Sequence, residues 1–275
     1  MHFLYSKKTK KDKNFHQNLF CIIYNNVMRK IVITSGKGGV GKTTVTATLG
    51  RRLAKDGFRV CLVDGDVGLN NLDVVTGIEA RVVYDVGDVL RGKCRPFQAL
   101  VRDGETDMRI LPSTNLCEDI SAQAFRGVVD GLDGAFDFVL IDCPAGIEHG
   151  FHRAVSSADE AIVVTTPYAS AIRDADKVLR LLDTYHLKDV SLVVNRVRLD
   201  LVRKGEALTA QEIANLLYAK LVGVIPDDDV IAITQQLGKS SEFAPSAKAF
   251  SLLAKNVEEG SAELMLVHKR RWRRR

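Results

Sequence analysis

Residues 31–44, IVITSGKGGVGKTT, put two lysines and two threonines in and just after a glycine-rich turn. Gly36-Lys37-Gly38-Gly39-Val40-Gly41-Lys42-Thr43 satisfies G-x-x-x-x-G-K-[ST], the spacing of a phosphate-binding loop. Glycines let successive backbone N–H groups turn toward one anion, and a helix starting near Lys42 adds its positive end. Lys42 then reaches the β- and γ-phosphates and the Thr43 hydroxyl ligates Mg²⁺, with Thr44 next on the helix. Two apolar runs deliver carboxylates to the same neighbourhood. Residues 59–63 (RVCLV) lead into Asp64-Gly65-Asp66, and residues 136–141 (FDFVLI) into Asp142-Cys143-Pro144. Carboxylates at i and i+2 past a strand point the same way. A strand end beside a phosphate loop is where Mg²⁺ and an attacking water must be held. Asn195 closes the run 190–195 (VSLVVN); there an amide offers one donor and one acceptor to an adenine edge. The chemistry expected is hydrolysis of a nucleoside triphosphate.

The elements that must position these groups alternate. Strands are expected at 31–34, 59–63, 109–111, 136–141, 160–166, 190–195 and 221–225. Helices are expected at 43–56, 82–90, 121–132, 170–185, 209–217 and 247–257. Thr209 and Glu212 read as a capping box. Strands alternating with helices predict a doubly wound parallel sheet in three αβα layers, one P-loop domain over residues 29–258. Asp174 and Asp176, near the start of the 170–185 helix, have two readings: a helix N-terminus favouring carboxylates, or a surface where a partner docks.

Composition confines what the ends can do. The chain has 275 residues, 46% of them hydrophobic, and a net charge of +5. Lysines crowd residues 7–13, and residues 269–275 are basic except for Trp272. Such ends suit anionic surfaces, lipid or nucleic acid. Residues 1–28 read as a basic appendage, either without function or a targeting segment poor in Arg and Ser. Residues 259–275 read as a separate basic tail. Five scattered cysteines without a C-x-x-C argue against disulfides and for a reducing compartment. No run approaches the roughly 18 apolar residues of a spanning helix.

Lys37 is the feature that ordinary phosphate loops lack. KGGVGKT resembles the loop of the deviant Walker A ATPases, which include the MinD proteins, ParA-type partition ATPases and nitrogenase iron protein. Residues 63–73 (VDGDVGLNNLD), 81–85 (RVVYD) and 142–148 (DCPAGIE) resemble MinD motifs, and the likeness runs over about residues 29–253. The resemblance implies that Lys37 crosses an ATP-bound dimer to the partner's phosphates. It implies Asp64 and Asp142 as carboxylates of the Mg²⁺ shell, Asp66 as the group orienting the attacking water, and Asn71 as an interface residue. Asp174 and Asp176 fall where MinD proteins meet the division inhibitor MinC.

The same resemblance implies a MinE-like activator and peripheral binding to an anionic membrane, cycling with the cytoplasm or within a plastid. MinD proteins usually end in an amphipathic helix. Here Leu264, Met265, His268 and Trp272 share a helical face, while Leu266 falls off it and the arginines, Arg273 among them, are spread around. Six cations at about 1 kcal/mol each near an anionic leaflet would still hold, with Trp272 at the interface. Two rivals remain. A ParA-type partition ATPase would spend the same cations on DNA phosphate, and a metal-cluster carrier would need paired cysteines.

Overall fold

Period-2 alternation along each strand sends apolar side chains to two separate cores. Ile31 and Ile33, Val60 and Leu62, and Phe138 and Leu140 face one; Val32, Cys61 and Val63, and Val139 and Ile141 face the other. A sheet buried on both faces needs helices on both, and the computed structural model has them. It describes residues 27–68, 71–113, 120–231 and 246–264.

The strands are β1 (Arg29–Thr34), β2 (Val60–Asp64), β3 (Val101–Arg102), β4 (Arg109–Leu111), β5 (Phe138–Asp142), β6 (Glu160–Thr165), β7 (Asp189–Val197) and β8 (Lys220–Pro226). They form one sheet in the order β3-β4-β2-β5-β1-β6-β7-β8. All the pairings are parallel except that of β3 with β4. The helices used below are α1 (Lys42–Lys55), α2 (Asn71–Thr76), α3 (Val86–Leu90), α4 (Ala122–Asp130), α5 (His149–Ser156), α6 (Ala169–Leu182), α7 (Leu199–Lys204), α8 (Ala210–Leu216) and α9 (Ala247–Glu259). Val45, Leu49 and Leu53 of α1 and Phe250 and Leu253 of α9 fill one core. Phe125 of α4, Phe151 of α5, Val178 of α6 and Ile213 of α8 fill the other.

The doubly wound reading holds, as does the capping box at Thr209 and Glu212. Among the described residues, the two-residue edge strand β3, the helices α2, α5 and α7, and the 3-10 turns Glu79–Arg81 and Pro96–Gln98 are additional to those expected. Short helices take their stability from tertiary contacts rather than from propensity, so they leave little periodic signal. The dipole reading of Asp174 and Asp176 fails, because α6 begins at Ala169 and its first turn carries no acid. Both lie further along, ion-paired to Lys177 and Arg180 of the same helix.

Residues 1–26 and 265–275 lie outside the described residues, and with them the expected membrane contacts Met265, Trp272 and Arg273. Leu264 is half-buried and packs against the core, so the chain leaves the domain later than the boundary expected after residue 258. No helix among the described residues is long and apolar enough to cross a membrane.

One buried ion pair ties the phosphate-loop helix to the sheet edge. Arg51 of α1 donates to Asp103 Oδ1 at 2.8 Å and to the Thr76 carbonyl at 3.1 Å. Burial pushes the Asp103 carboxyl up, but hydrogen bonds and charge from Arg51 win and hold it below its ordinary value. Asp103→Ala would remove the carboxylate that accepts from this buried guanidinium, and breaking a buried pair from one side costs about 3–5 kcal/mol. A urea melt of this variant should show that loss, and a shift below about 1 kcal/mol would contradict it.

Candidate nucleotide-binding site

β2 and β5 are adjacent, and Asp64 pairs in register with Asp142. Both follow the alternation onto the face covered by α1. Two carboxylates therefore end neighbouring strands about 4.8 Å apart in backbone, both buried. Burial raises the Asp64 carboxyl well above its usual range, and the charge of Asp142 raises it further; N–H groups of Asp66 and Leu72 pull the other way. Burial lifts Asp142 to about 6, against Lys42 and hydrogen bonds from Thr43 and Thr46. Asp66, half-buried two residues past β2, is raised by burial and pulled back by Lys42 and Arg153.

The loop above these acids is built to hold an anion. Gly41, at φ 93°, precedes α1 as its N-cap, and no side chain caps the helix. The first turn holds no acid, so the uncapped N–H groups and the helix dipole act without a competing negative charge. Lys42 is buried, and its charge acts on Asp66 and Asp142. Thr43 Oγ1 donates to Asp142 Oδ2 at 2.6 Å, and Thr46 Oγ1 lies 3.0 Å from Asp142 Oδ1.

This donor set fits a magnesium ion. It consists of hard oxygens, a hydroxyl and two carboxylates, gathered where buried like charges call for a cation. Thr43, Asp64 and Asp142 are the residues that would hold it, directly or through its waters.

Two contacts fix the loop to the rest of the sheet. Asn195 Nδ2 donates to the Val40 carbonyl at 2.8 Å, and its Oδ1 accepts from the Arg196 N–H at 2.9 Å. A bulge aims this amide: Val194 pairs with Val224 and Val197 with Pro226, so β7 carries one residue too many between them. Arg196 absorbs it at φ 54°, as bulges near sites commonly re-aim a side chain. Asn195 thus anchors the loop. The amide keeps a second N–H and a second lone pair, which an adenine edge could use.

The second contact is with α6. Gly36 lies so close to it that a Cβ there would clash with the Asp174 carbonyl oxygen. Lys37 is exposed, and its Nζ donates to Ser170 Oγ of α6 at 2.9 Å. Asn71 is exposed at the start of α2. Gly38 and Gly39 are likewise exposed.

Residues 31–240 match the CobQ/CobB/MinD/ParA nucleotide binding domain. The septum site-determining protein MinD of Bacillus subtilis is 45% identical over 232 residues, 82% of this chain and 86% of its own length. The chain belongs to the MinD family of septum site-determining proteins. MinD in the MinC:MinD complex of Aquifex aeolicus superposes with a TM-score of 0.80 at 38% identity, covering 88% of this chain and all of that one. MinD of Pyrococcus horikoshii, solved with Mg-ADP, gives 0.77 at 33% identity, covering 84% of this chain and 96% of its own.

Three groups of this MinD-family site escaped sequence reasoning. Arg153 of α5 is buried and reaches the Gly65 carbonyl at 3.3 Å and the Ile120 carbonyl at 3.4 Å, bracing the turn that presents Asp66. Ser113 Oγ donates to the Asp66 carbonyl at 3.0 Å. Ser170 receives Lys37. Arg153 sits on a short helix with little pattern of its own, but an arginine one turn past PAGIE was a signal that could have been weighed. The described cysteines are free; Cys61 and Cys143 are core residues. Burial pushes the Cys143 thiol up to about 12, which makes it inert.

The contact of Gly36 with α6 is testable against its neighbour. Gly36→Ala should force the loop and α6 apart, lowering Tm by several degrees and weakening binding of a fluorescent ATP analogue at least tenfold. Gly38→Ala, whose methyl would meet the Ala145 Cβ at 3.9 Å, should leave the Tm of the nucleotide-free protein unchanged. Equal melting of the two variants would refute the contact.

Proposed function

We propose that this chain is a Mg²⁺-dependent ATPase whose ATP-bound dimer attaches to an anionic membrane and recruits a division inhibitor. The observation that carries it is the placement of two lysines in one loop. Lys42 is buried, its charge acting on Asp66 and Asp142, whereas Lys37 is exposed, held by one hydrogen bond to a neighbouring helix. The first suits the nucleotide of its own chain. The second is placed to leave Ser170 for the phosphates of a second copy. A lysine supplied in trans makes closure of the dimer depend on a γ-phosphate, much as an arginine finger does.

Hydrolysis follows from the same residues. Water attacks the γ-phosphorus in line, the bond to the bridging oxygen breaks, and ADP and phosphate leave. Asp66 orients the water; its backbone is held by Ser113 and by the Asp64 carboxylate. Lys42 and Lys37 neutralise charge on the transferring group. Thr43, Asp64 and Asp142 would hold Mg²⁺, which would supply charge neutralisation to the phosphate.

The partner surface is joined to this event. MinD of Aquifex aeolicus forms a complex with MinC, and for this chain a MinC-like inhibitor would meet α6 at Asp174 and Asp176. The α6 backbone at Asp174 abuts Gly36, and its Ser170 holds Lys37. Lys37 crossing to the partner would therefore free Ser170 of α6 as the dimer forms. A MinE-like activator would use the same dependence in reverse, prompting hydrolysis and release. Asn71 stands at the rim expected of the dimer. The basic tail supplies the membrane contact, one per chain and two per dimer, and the protein cycles between the surface and the surrounding compartment, bacterial cytoplasm or plastid stroma.

Lys37→Ala should abolish ATP-dependent dimerisation on sizing chromatography while sparing nucleotide binding; an unchanged dimer removes the trans role. Asp66→Ala should slow turnover at least about a hundredfold and trap the ATP-bound dimer, so normal turnover excludes Asp66. The rival partition reading is separated by cosedimentation with anionic vesicles and with duplex DNA, each with ATP and with ADP. Vesicle binding that needs ATP and is lost on deleting residues 265–275 is expected. ATP-dependent binding to DNA alone would favour the partition ATPase.

A further inference from the structure

The described chain does not simply trail away from α9. Gly260, at φ 66°, reverses the backbone, and residues 261–263 return to the helix they have just left. There they meet Asn256, which is 2% exposed. Its Nδ2 donates to the carbonyls of Val222 and Glu263, each at 2.9 Å. Its Oδ1 accepts from Ser261 Oγ at 2.8 Å and from the Glu263 N–H at 2.9 Å. Four bonds use both donors and both lone pairs of the amide.

Each partner needs this amide. Leu221 pairs with Leu192 and Gly223 with Val193, so Val222 is the extra residue of a bulge in β8. Its carbonyl falls outside the ladder, and a buried carbonyl left unpaired is costly. Glu263 is bound through both its backbone groups, and its carboxylate meets Lys255 at 2.8 Å on the surface. Leu264, next in the chain, packs half-buried on the core. An apolar side chain at position 256 would serve helix packing alone; the amide serves the strand and the departing chain together.

We propose that Asn256 is a positioning residue for membrane attachment: it fixes the backbone at Glu263, two residues before the basic segment 265–275 begins in the sequence. This rests on the membrane reading given above. Residues 265–275 hold six cations and no acid while the whole chain carries +5, so the remainder carries −1. Residues 7–13 carry five lysines and one aspartate, so the seven residues 269–275, with six cations and no acid, are the denser of the two basic runs that an anionic lipid surface could attract. Two such segments on a dimer reinforce each other to the extent that the second is held close to the surface once the first has bound, and slack at the root dilutes that gain. Asn256 lies by the start of β8, at the opposite end of the sheet from the phosphate loop, so its loss leaves the nucleotide site intact.

The test uses the full chain and phosphatidylcholine vesicles containing phosphatidylglycerol. Asn256→Ala should weaken ATP-dependent vesicle binding about tenfold, with ATP-dependent dimerisation and the weak binding in ADP unchanged. Hydrogen exchange at the Glu263 amide, slow in the parent, should become fast. A second variant inserts a Gly/Ser linker of about six residues after Leu264; it should lose the same affinity with the Glu263 amide still protected. Parent-like binding by both variants overturns the proposal, as does fast exchange of the Glu263 amide in the parent. An equal loss in ATP and ADP overturns it too, as does loss of dimerisation in Asn256→Ala beside normal binding by the linker variant. A parent that fails to bind vesicles in ATP removes the membrane reading itself and this role with it, an outcome distinct from a parent that binds no better than its variants.

Discussion

Asp64 and Asp142, two carboxylates buried side by side at the ends of adjacent strands, constrain everything around them. Neither burial nor mutual repulsion favours their charged forms. The surroundings answer with N–H groups on Asp64, and with hydroxyls and a buried lysine acting on Asp142. That compensation is incomplete on protein groups alone, which is the condition under which a divalent cation and its nucleotide complete the site. The strand register makes the pair unavoidable, since Asp64 and Asp142 are direct neighbours in the β2/β5 ladder. The sheet is thus part of the chemistry as well as its support.

The loop over these acids is held from outside itself. Asn195 grips it from β7, and α6 lies against Gly36. A phosphate cradle needs such preorganisation, because a loop free to wander would spend binding energy on ordering. The grip from α6 has a second consequence. The surface expected to meet a protein partner and the loop expected to meet phosphate share a backbone contact, so neither moves without the other being affected.

Local spacing made much of this readable from sequence. The phosphate loop, Asp64 and Asp142 each sit at a fixed offset from an apolar run, and local offset was enough to place them on one face. Asn195 was readable as a strand-end amide but not as an anchor, because its direction depends on a bulge that Arg196 absorbs in a left-handed conformation. Arg153 and Ser113 act on Asp66 from segments far away in the chain; the place of Arg153 just past PAGIE is a hint, and nothing beside Ser113 announces its contact. Asn256 reads as one more polar residue on an amphipathic helix until the β8 bulge and the returning chain are seen together. β3, with two residues, is too short for any pattern. What was missed is what tertiary contact alone decides.

The two margins of the sheet carry a consequence for assembly. One ends in β3, two residues long and antiparallel; the other ends in β8, kinked by its bulge and with the Val222 carbonyl already taken. Strands so short or so occupied are poor templates for a neighbouring chain. Copies of this molecule are therefore discouraged from joining rim to rim into ribbons, and their contact is left to broad faces. If the chain gathers on a membrane and then disperses, as proposed above, it gains from that restriction, because its encounters stay countable and undoable.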